Sequence, residues 1–295
     1  MIETCSQLNI IVDKYVGNIS LFRYTNNLKG VLSMHISFIG LGNMASALVR
    51  GIASKHDDAS FITGYNRTHT KAAALAQETG IIATTSIAEA AEANIIFLGV
   101  KPYQLADIAA QLRPHLTPDQ LLVSMAAGKD LATLQQLFEH EAFMRIMPNV
   151  NAAVGHSTTS YAITSAVTAE QRDAAVTLLE ATGSMIALEE KQFANFSAIA
   201  GASPAFHYMY IDAIARAAVK EGMPKAIALQ IAADAVLGSA KMILQSNEHP
   251  IDLVDQVCSP SGTTIEGVMA LKQHGFEHAV HEAVHAVVQK DQQLK

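Results

Sequence analysis

Apolar and polar residues follow two different patterns along this chain. Between about residues 35 and 188, short apolar runs alternate with segments in which apolar residues recur at helical spacing. The runs that predict strands are HISFIG, FITGYN, NIIFLGV, QLLVSM, AFMRIM, HSTTSYAI and SMIAL. The segments that predict helices span residues 43–54, 69–79, 87–92, 103–112, 130–138 and 169–181. This alternation predicts βαβ units and a largely parallel, doubly wound α/β sheet.

After about residue 189 the pattern is helical throughout. The predicted helices span residues 194–200, 204–221, 224–245, 250–257, 262–273 and 276–290. Alanine and glycine recur through 225–240, and the helices are apolar over more than one face, which one monomer cannot easily bury. We therefore expect a homodimer or a higher homo-oligomer that forms through the C-terminal helices.

These patterns predict two domains and an N-terminal extension. The α/β domain is predicted at 34–190 and the all-helical domain at 191–295. Residues 1–33 match neither a signal peptide nor the opening of a domain, so we interpret them as an extension outside the fold, of uncertain structure. The alternative is an additional hairpin or helix that belongs to the native protein.

Composition and charge narrow the class of protein. The 295 residues are 50% hydrophobic and carry a net charge of −7 without a block of basic residues, which argues against disorder and against nucleic-acid partners. No apolar run approaches the ~18–20 residues of a membrane span, so no membrane partner is expected. Cys5 and Cys258 are too few and too far apart for a disulfide framework. We expect a cytoplasmic protein.

The segment GLGNMA directly follows the first predicted strand and opens a helix. In a GxGxxA turn of this kind, the first glycine allows a tight turn. The second glycine lets the backbone approach a pyrophosphate, which then meets the helix N-terminus. We therefore predict a Rossmann-type dinucleotide-binding domain, with cofactor contacts from Gly40, Leu41, Gly42, Asn43 and Met44.

The residues after the second predicted strand indicate which dinucleotide binds. An enzyme that uses NAD commonly has Asp or Glu here to hold the ribose 2′-hydroxyl. This chain has Asn66 and Arg67 instead, and an arginine suits a 2′-phosphate. We predict NADPH, with NADH possible, and we place Asn66 and Arg67 in the cofactor site. The alternative for Arg67 is a solvated surface residue.

Two further strand ends lie at the edge where such sheets bind ligands. Residues 100–102 follow the run NIIFLGV, and residues 124–128 follow the run QLLVSM. Small residues at these places would let a nicotinamide ring lie against the backbone. The predicted cofactor contacts here are Val100, Lys101, Pro102 and Ala126. Ordinary turn chemistry accounts for the same residues equally well.

The segment CSPSGTTI, residues 258–265, brings hydroxyls, a glycine and a proline together at the start of a predicted helix. Backbone N–H groups lack partners at a helix start, so a small anion such as a substrate carboxylate fits there. The alternative is simple capping of the helix by serine or threonine.

Over residues 34–295 the chain resembles the pyrroline-5-carboxylate reductase family. The matching segments are FIGLGNMASAL, VKPYQL, MPNVN at 147–151, GASPAF at 201–206 and SPSGTTIEG at 259–267. The resemblance implies reduction of the cyclic imine Δ1-pyrroline-5-carboxylate to L-proline by NADPH, the last step of proline biosynthesis. It adds Met147 and Asn149 to the cofactor residues. It implies substrate roles for Ser259, Gly262, Thr263 and Thr264, with the Thr264 hydroxyl as the catalytic group close to the imine nitrogen.

The chain departs from the family pattern at three places. Family members more often have glycine where Ser203 and Ser261 stand, and Thr-Pro where Val150 and Asn151 stand. None of these departures removes a group that we assign to chemistry, so they affect the detail of the prediction and not the class of enzyme.

Three other interpretations compete with this one. A 3-hydroxyacid dehydrogenase would need an interdomain lysine, for which Lys191 is the candidate, but it gives the SPSGTT segment no role. The segment 281–285 matches the HExxH pattern of zinc peptidases. It lies in an Ala- and Val-rich helix near the C-terminus, so we interpret its histidines as surface residues and predict no metal. A non-catalytic NADP(H) sensor would keep the fold without turnover.

Overall fold

The structure of the protein is a computed structural model, and it describes residues 34–293. The interpretation of residues 1–33 as an extension concerns residues outside this range. The chain divides between Glu190 and Lys191 into two compact units. The first unit contains all the described strands, and the described part of the second unit is helical.

One mixed sheet forms the centre of the first unit. Its strands are β1 (Ile36–Ile39), β2 (Ile62–Tyr65), β3 (Ile82–Thr84), β4 (Ile95–Leu98), β5 (Leu121–Ser124), β6 (Phe143–Met147), β7 (Ser157–Ile163) and β8 (Gly183–Ala187). They lie in the order β3-β2-β1-β4-β5-β6-β7-β8. Neighbouring strands are parallel except β6 and β7, which are antiparallel. The direction of winding reverses between β1 and β4, the switch point at which such sheets bind ligands.

Helices and apolar clusters cover both faces of this sheet. The helices are α1 (Asn43–Ala53), α2 (His69–Thr79), α3 (Ile87–Ala90), α4 (Leu105–Leu112), α5 (Leu131–Phe138) and α6 (Ala169–Glu180). The successive β1 residues Phe38 and Ile39 belong to two different buried clusters, because side chains alternate between the faces of a strand. Phe38 stacks on Phe97 of β4 with ring centroids 4.4 Å apart, so the two strands that flank the switch point are held together by their side chains as well.

The predicted doubly wound, largely parallel sheet is confirmed, and the runs HSTTSYAI and SMIAL extend it as β7 and β8. The sequence pattern does not predict β3. This edge strand has three residues and its first, Ile82, is 47% exposed. Such a strand carries neither a buried apolar run nor an alternation long enough to detect.

The second unit is built from six α-helices in its described part. They are α7 (Phe193–Phe196), α8 (Ser203–Lys220), α9 (Lys225–Gln245), α10 (Pro250–Val257), α11 (Thr263–Gln273) and α12 (Phe276–Gln293). Five of the six follow the predicted helices closely. The exception is α7, which ends at Phe196, whereas the sequence predicts a helix at 194–200 that is separate from the one at 204–221.

A π-helical segment, Ser197–Ala202, joins α7 to α8 without a break. Pro204 accounts for this geometry, because its nitrogen carries no hydrogen to donate to the preceding turn. The hydroxyl of Ser203 donates instead to the Ile199 carbonyl at 2.8 Å. The sequence predicts that one helix ends at residue 200 and a new one starts at residue 204. The structure instead has a continuous helix with a wider π turn at this place.

The helix α9 differs from the expectation that no segment resembles a membrane span. It is long and apolar enough to cross a membrane by length and composition, and 11% of its most apolar window is buried inside the chain. Its buried residues are the small Ala228 and Ala232, whereas Leu237 and Leu244 are 52% and 69% exposed. An exposed apolar surface of this kind is typical of a helix that packs against another protein surface or against lipid.

Candidate active site

A cleft of about 360 Å³ opens at the carboxyl ends of β1, β2 and β4. It lies at the switch point of the sheet, where a doubly wound fold binds a dinucleotide. Seven of the predicted cofactor residues line it. They are Gly40, Leu41, Gly42, Asn66, Arg67, Val100 and Lys101.

The glycines around the cleft are required for different reasons. Gly40 has φ +92°, and a Cβ placed on it would lie 2.5 Å from Cγ1 of Val100. A Cβ on Gly99, after β4, would overlap the Gly40 carbonyl. Gly42 has an extended φ of −74°, and a Cβ there would have only ordinary contact with the protein, 3.8 Å from the Gly99 carbonyl. The protein's own packing therefore requires Gly40 and Gly99, whereas Gly42 leaves open space beside the cleft.

The start of α1 is open to an anion. Gly42 is its N-cap residue, no side chain caps it, and no acidic residue lies in its first turn. The first N–H groups of a helix lack partners within the helix and lie at the positive end of its dipole. With the open space at Gly42, these groups suit a pyrophosphate.

Asn66 has a structural role as well as a place in the cleft. Its side-chain oxygen accepts a hydrogen bond from the Leu41 N–H at 3.0 Å, and its side-chain nitrogen donates to the Thr68 carbonyl at 3.0 Å. The Gly40 N–H donates to the Tyr65 carbonyl at 2.8 Å. These bonds fix the glycine turn against the end of β2. The Asn66 amide therefore stabilises the backbone that forms one side of the cleft.

Three cations line the cleft: Arg67, Lys101 and Lys71. None of them forms an ion pair within residues 34–293. The only carboxylate in the described lining is that of Asp107. Lys71 is not predictable from the sequence motif that includes Arg67, because it lies in the first turn of α2. The excess of positive charge suits a phosphorylated dinucleotide.

Four other predicted cofactor residues lie at or shortly after the ends of β4, β5 and β6 but do not line this cleft. They are Pro102, Ala126, Met147 and Asn149. Ala126 is 4% exposed and packs into an apolar cluster, and Asn149 is 5% exposed. Asn43 and Met44 open α1 and likewise do not line the cleft. The structure thus brings seven of the predicted cofactor residues together in the cleft and leaves these six outside its lining.

The SPSGTT segment forms the start of α11 in the second unit. Gly262 is the N-cap residue, its N–H donates to the Ser259 carbonyl at 3.0 Å, and a Cβ on it would overlap the Ser259 hydroxyl. No side chain caps α11. Thr263 and Thr264 are exposed in its first turn. This geometry does not match simple capping by serine or threonine, because the capping residue is a glycine.

The hydroxyls of Ser259, Thr263 and Thr264 have no hydrogen-bond partner among the described residues. Together with the uncapped N–H groups of α11, these hydroxyls form a cluster of hydrogen-bond donors without partners among the described residues, on the surface of the second unit. Such a group of donors can bind a carboxylate and place a hydroxyl beside it.

Two of the departures from the family pattern have local explanations. Ser261 has φ +58°, a left-handed conformation that glycine adopts at no steric cost. The Asn151 N–H donates to the Asn149 side-chain oxygen at 3.2 Å, a bond that a proline at that position could not form. Asn149 is therefore held more tightly in this chain than a Thr-Pro sequence would allow.

The residues behind the competing interpretations lie elsewhere. Lys191 is in the short 3-10 turn Glu190–Gln192. His281 and His285 are exposed on α12, and within residues 34–293 no three His, Cys, Asp or Glu side chains are grouped to hold a metal ion. The HExxH match thus has no third ligand in the described part of the chain.

The fold and the cleft define an NADP-dependent oxidoreductase of the Rossmann type. Residues 35–128 match the family model for NADP oxidoreductase, coenzyme F420-dependent, and residues 190–294 match the model for pyrroline-5-carboxylate reductase dimerisation. The chain is 40% identical over 262 residues to the pyrroline-5-carboxylate reductase of Escherichia coli (strain K12), covering 88% of this chain and 97% of that protein. It is 35% identical over 265 residues to the enzyme of Pisum sativum, covering 89% and 96%.

Solved structures agree with these relatives. A pyrroline-5-carboxylate reductase from Coxiella burnetii superposes with a TM-score of 0.84 at 27% identity, covering 89% of this chain and 99% of that one. Plasmodium falciparum pyrroline carboxylate reductase with NADP bound gives a TM-score of 0.79 at 25% identity, covering 89% and 98%. The chain belongs to the pyrroline-5-carboxylate reductase family.

Proposed function

We propose that this chain reduces Δ1-pyrroline-5-carboxylate to L-proline with NADPH as the hydride donor, with NADH as a possible substitute. The observation that carries the proposal is the start of α11, where an uncapped helix and unpaired hydroxyls lie together. A site of this kind suits the carboxylate that the imine and proline share. The names of the relatives supply the substrate class.

The two units divide the task. The unit at 34–190 binds NADPH, and the unit at 191–295 binds the substrate and forms the dimer. When bound, NADPH supplies the hydride. The open space at Gly42 and the start of α1 receive the pyrophosphate, and Arg67 with Lys71 holds the 2′-phosphate. Val100, Lys101, Pro102, Ala126, Met147 and Asn149 continue the cofactor site along the ends of β4, β5 and β6.

The substrate residues bind and orient the imine. Ser259, Gly262 and Thr263 hold its carboxylate at the start of α11. The Thr264 hydroxyl donates a hydrogen bond to the imine nitrogen, which orients the ring and assists delivery of the proton to that nitrogen. A protonated cyclic imine accepts hydride readily, so the site needs no stronger acid.

A second copy of the chain covers α9 in this proposal. The family model over residues 190–294 is named for dimerisation, and α9 lies within it with its large apolar residues exposed. The substrate site is then shared between two copies, the C-terminal helices form the contact, and the enzyme works in the cytoplasm.

One assay tests the function directly. NADPH absorbance is followed after Δ1-pyrroline-5-carboxylate is added to the purified chain, and the product is identified as proline by chromatography. The expected result is one proline formed per NADPH oxidised. NADPH binding without oxidation would favour a sensor, and turnover of a 3-hydroxyacid in place of the imine would favour the dehydrogenase interpretation.

A further inference from the structure

A buried charge lies on β6, outside the cleft. Arg145 pairs in register with Ser124 of β5 and Ala162 of β7, and its side chain is 6% exposed. A buried guanidinium is stable only when it is paired and hydrogen-bonded. Nothing in the cofactor or substrate assignments uses this residue, although it lies two residues before Met147.

The partner of Arg145 is the last residue of the first unit. Oε1 of Glu190 lies 2.7 Å from the Arg145 Nη1, and the same oxygen accepts a hydrogen bond from the Leu131 N–H at 2.9 Å. The chain passes into the second unit at the next residue. One carboxylate oxygen therefore ties together β6, the start of α5 and the segment that connects the two units.

Two of these three segments adjoin residues assigned to the cofactor. β6 ends at Met147 and is followed by Asn149, and α5 starts shortly after the loop that contains Ala126. The N-cap of α5 is Asp130, whose pKa is lowered by hydrogen bonds from Thr133, with the nearby Arg145 contributing. Three charged side chains, those of Arg145, Glu190 and Asp130, therefore lie near one another where these segments meet.

We propose that the Arg145–Glu190 ion pair is a positioning device, which fixes the point where the chain leaves the cofactor-binding unit. The inference rests on the proposed function, since the second unit is assigned the substrate. Neither side chain touches the substrate or the cofactor in this proposal. Loss of the pair would leave the lining of the NADPH cleft unchanged but would loosen the last residues of the first unit, from which the chain continues into the substrate-binding unit. A small misplacement of reacting groups lowers turnover strongly.

A purely structural role predicts a different outcome, and two variants separate the roles. Glu190→Gln removes the carboxylate that lies 2.7 Å from the buried Arg145 guanidinium, so it destabilises the fold in either case. The double variant Arg145→Met/Glu190→Gln removes both charges and keeps a side-chain oxygen that can accept from the Leu131 N–H. Removing both charges of a buried pair together is often neutral for stability. The control is Glu78→Gln, which removes the exposed Arg50–Glu78 pair of the same unit.

The experiment measures melting temperature, NADPH affinity by fluorescence, and kcat and KM for the imine. In the double variant we expect a melting temperature close to that of the wild type and NADPH affinity within about twofold. We expect kcat/KM for the imine to fall at least about tenfold. In the control, all these values stay close to wild type. Recovery of kcat/KM together with the melting temperature in the double variant would overturn the proposal, because the pair would then act through stability alone.

Amide hydrogen exchange of residues 186–196 gives a readout that needs no substrate. The proposal predicts exchange at least about threefold faster in the double variant, with unchanged protection in α1. Unchanged exchange in 186–196 overturns the positioning role even if the enzyme reduces the imine. Absence of imine reduction by the wild type overturns the proposed function instead, and the exchange result still decides whether the pair fixes the connecting segment.

Discussion

Side chains that shape the cofactor cleft and side chains that face it are different residues, although they are neighbours in the sequence. Asn66 uses both ends of its amide within the protein, where it holds the glycine turn against the loop after β2. Arg67, the next residue, is exposed at the cleft and forms no ion pair in the described part of the chain. Cofactor preference can therefore be tested at Arg67 with little effect on the fold.

Arg67→Ala should weaken NADPH binding far more than NADH binding, because only NADPH carries the 2′-phosphate. A charge-assisted contact contributes about 1.5 to 3 kcal/mol, which is a loss of about tenfold to a hundredfold in affinity. Fluorescence titration with both nucleotides measures the effect. Lys55→Ala, a cation of the same unit outside the cleft lining, serves as the control. Equal losses for the two nucleotides would assign Arg67 to the scaffold.

Thr264→Ala separates an imine-binding hydroxyl from a helix cap. Since Gly262 is the N-cap of α11 and the Thr264 hydroxyl has no partner among the described residues, the melting temperature should change little. Turnover of Δ1-pyrroline-5-carboxylate should fall by about 10²-fold or more, while NADPH affinity stays constant.

Thr168→Ala is the matched control for this test. The Thr168 hydroxyl is a genuine cap of α6, because it accepts a hydrogen bond from the Gln171 N–H at 3.2 Å. Its loss should cost about 1 kcal/mol of stability and leave turnover unchanged. A Thr264→Ala enzyme that melts lower but turns over at the wild-type rate would contradict the assigned role.

Among the elements, the strand–turn–helix of β1 and α1 combines a folding requirement with a binding requirement. Gly40 is needed for its left-handed backbone and for the close approach of Val100. Gly42 meets neither requirement, and its Cα faces the space where we place the pyrophosphate. A glycine-to-alanine substitution should therefore lower stability at position 40 but lower NADPH affinity at position 42.

Gly40→Ala should destabilise the first unit by about 1 to 3 kcal/mol, because alanine is strained at φ +92° and its methyl group meets Val100. Gly42→Ala should change stability by less than about 1 kcal/mol but weaken NADPH binding, since the added methyl group separates the backbone from the pyrophosphate. Thermal unfolding and fluorescence titration of both variants provide the comparison. If Gly42→Ala binds NADPH normally, the cofactor does not approach this turn.

The elements also show what the sequence can and cannot predict. The buried strands and the amphipathic helices were predictable because each carries its own periodicity, and the glycine turn was predictable because its residues are adjacent. Lys71 reaches the cleft from a helix, and Arg145 meets Glu190 across 45 positions of sequence. Contacts of this kind depend on the packing of the sheet and leave no local pattern. The π-helical segment before Pro204 was missed because a proline is equally compatible with a new helix start.

On the scale of the whole molecule, the two units differ in how completely they bury their apolar residues. The first unit has two apolar clusters that include residues from all its central strands. The second unit leaves large apolar side chains exposed, with α9 as the clearest case. A dimerisation model covers this part of the chain, which favours a second copy over a membrane as the covering surface.

Leu237→Glu should therefore weaken self-association. Leu237 is 52% exposed on α9, and a glutamate in an apolar interface loses at least the 1.5 to 3 kcal/mol or so that burial of a leucine contributes. Size-exclusion chromatography with light scattering should show a shift toward the mass of one chain. Ile82→Glu, on the exposed edge strand of the first unit, should leave the mass unchanged. A variant that keeps the wild-type mass would place the interface elsewhere.

The different requirements at Gly40, Gly42 and Gly99 also have a consequence for descent. A lineage that kept this fold but stopped binding nucleotide would still be selected against any side chain at positions 40 and 99, because those side chains would collide with the protein itself. Position 42 would be released from selection, and with no internal collision to prevent it, other residues would accumulate there. The residue found at position 42 of a descendant would thus record whether its ancestors continued to bind the nucleotide, even after the rest of the turn had stayed the same.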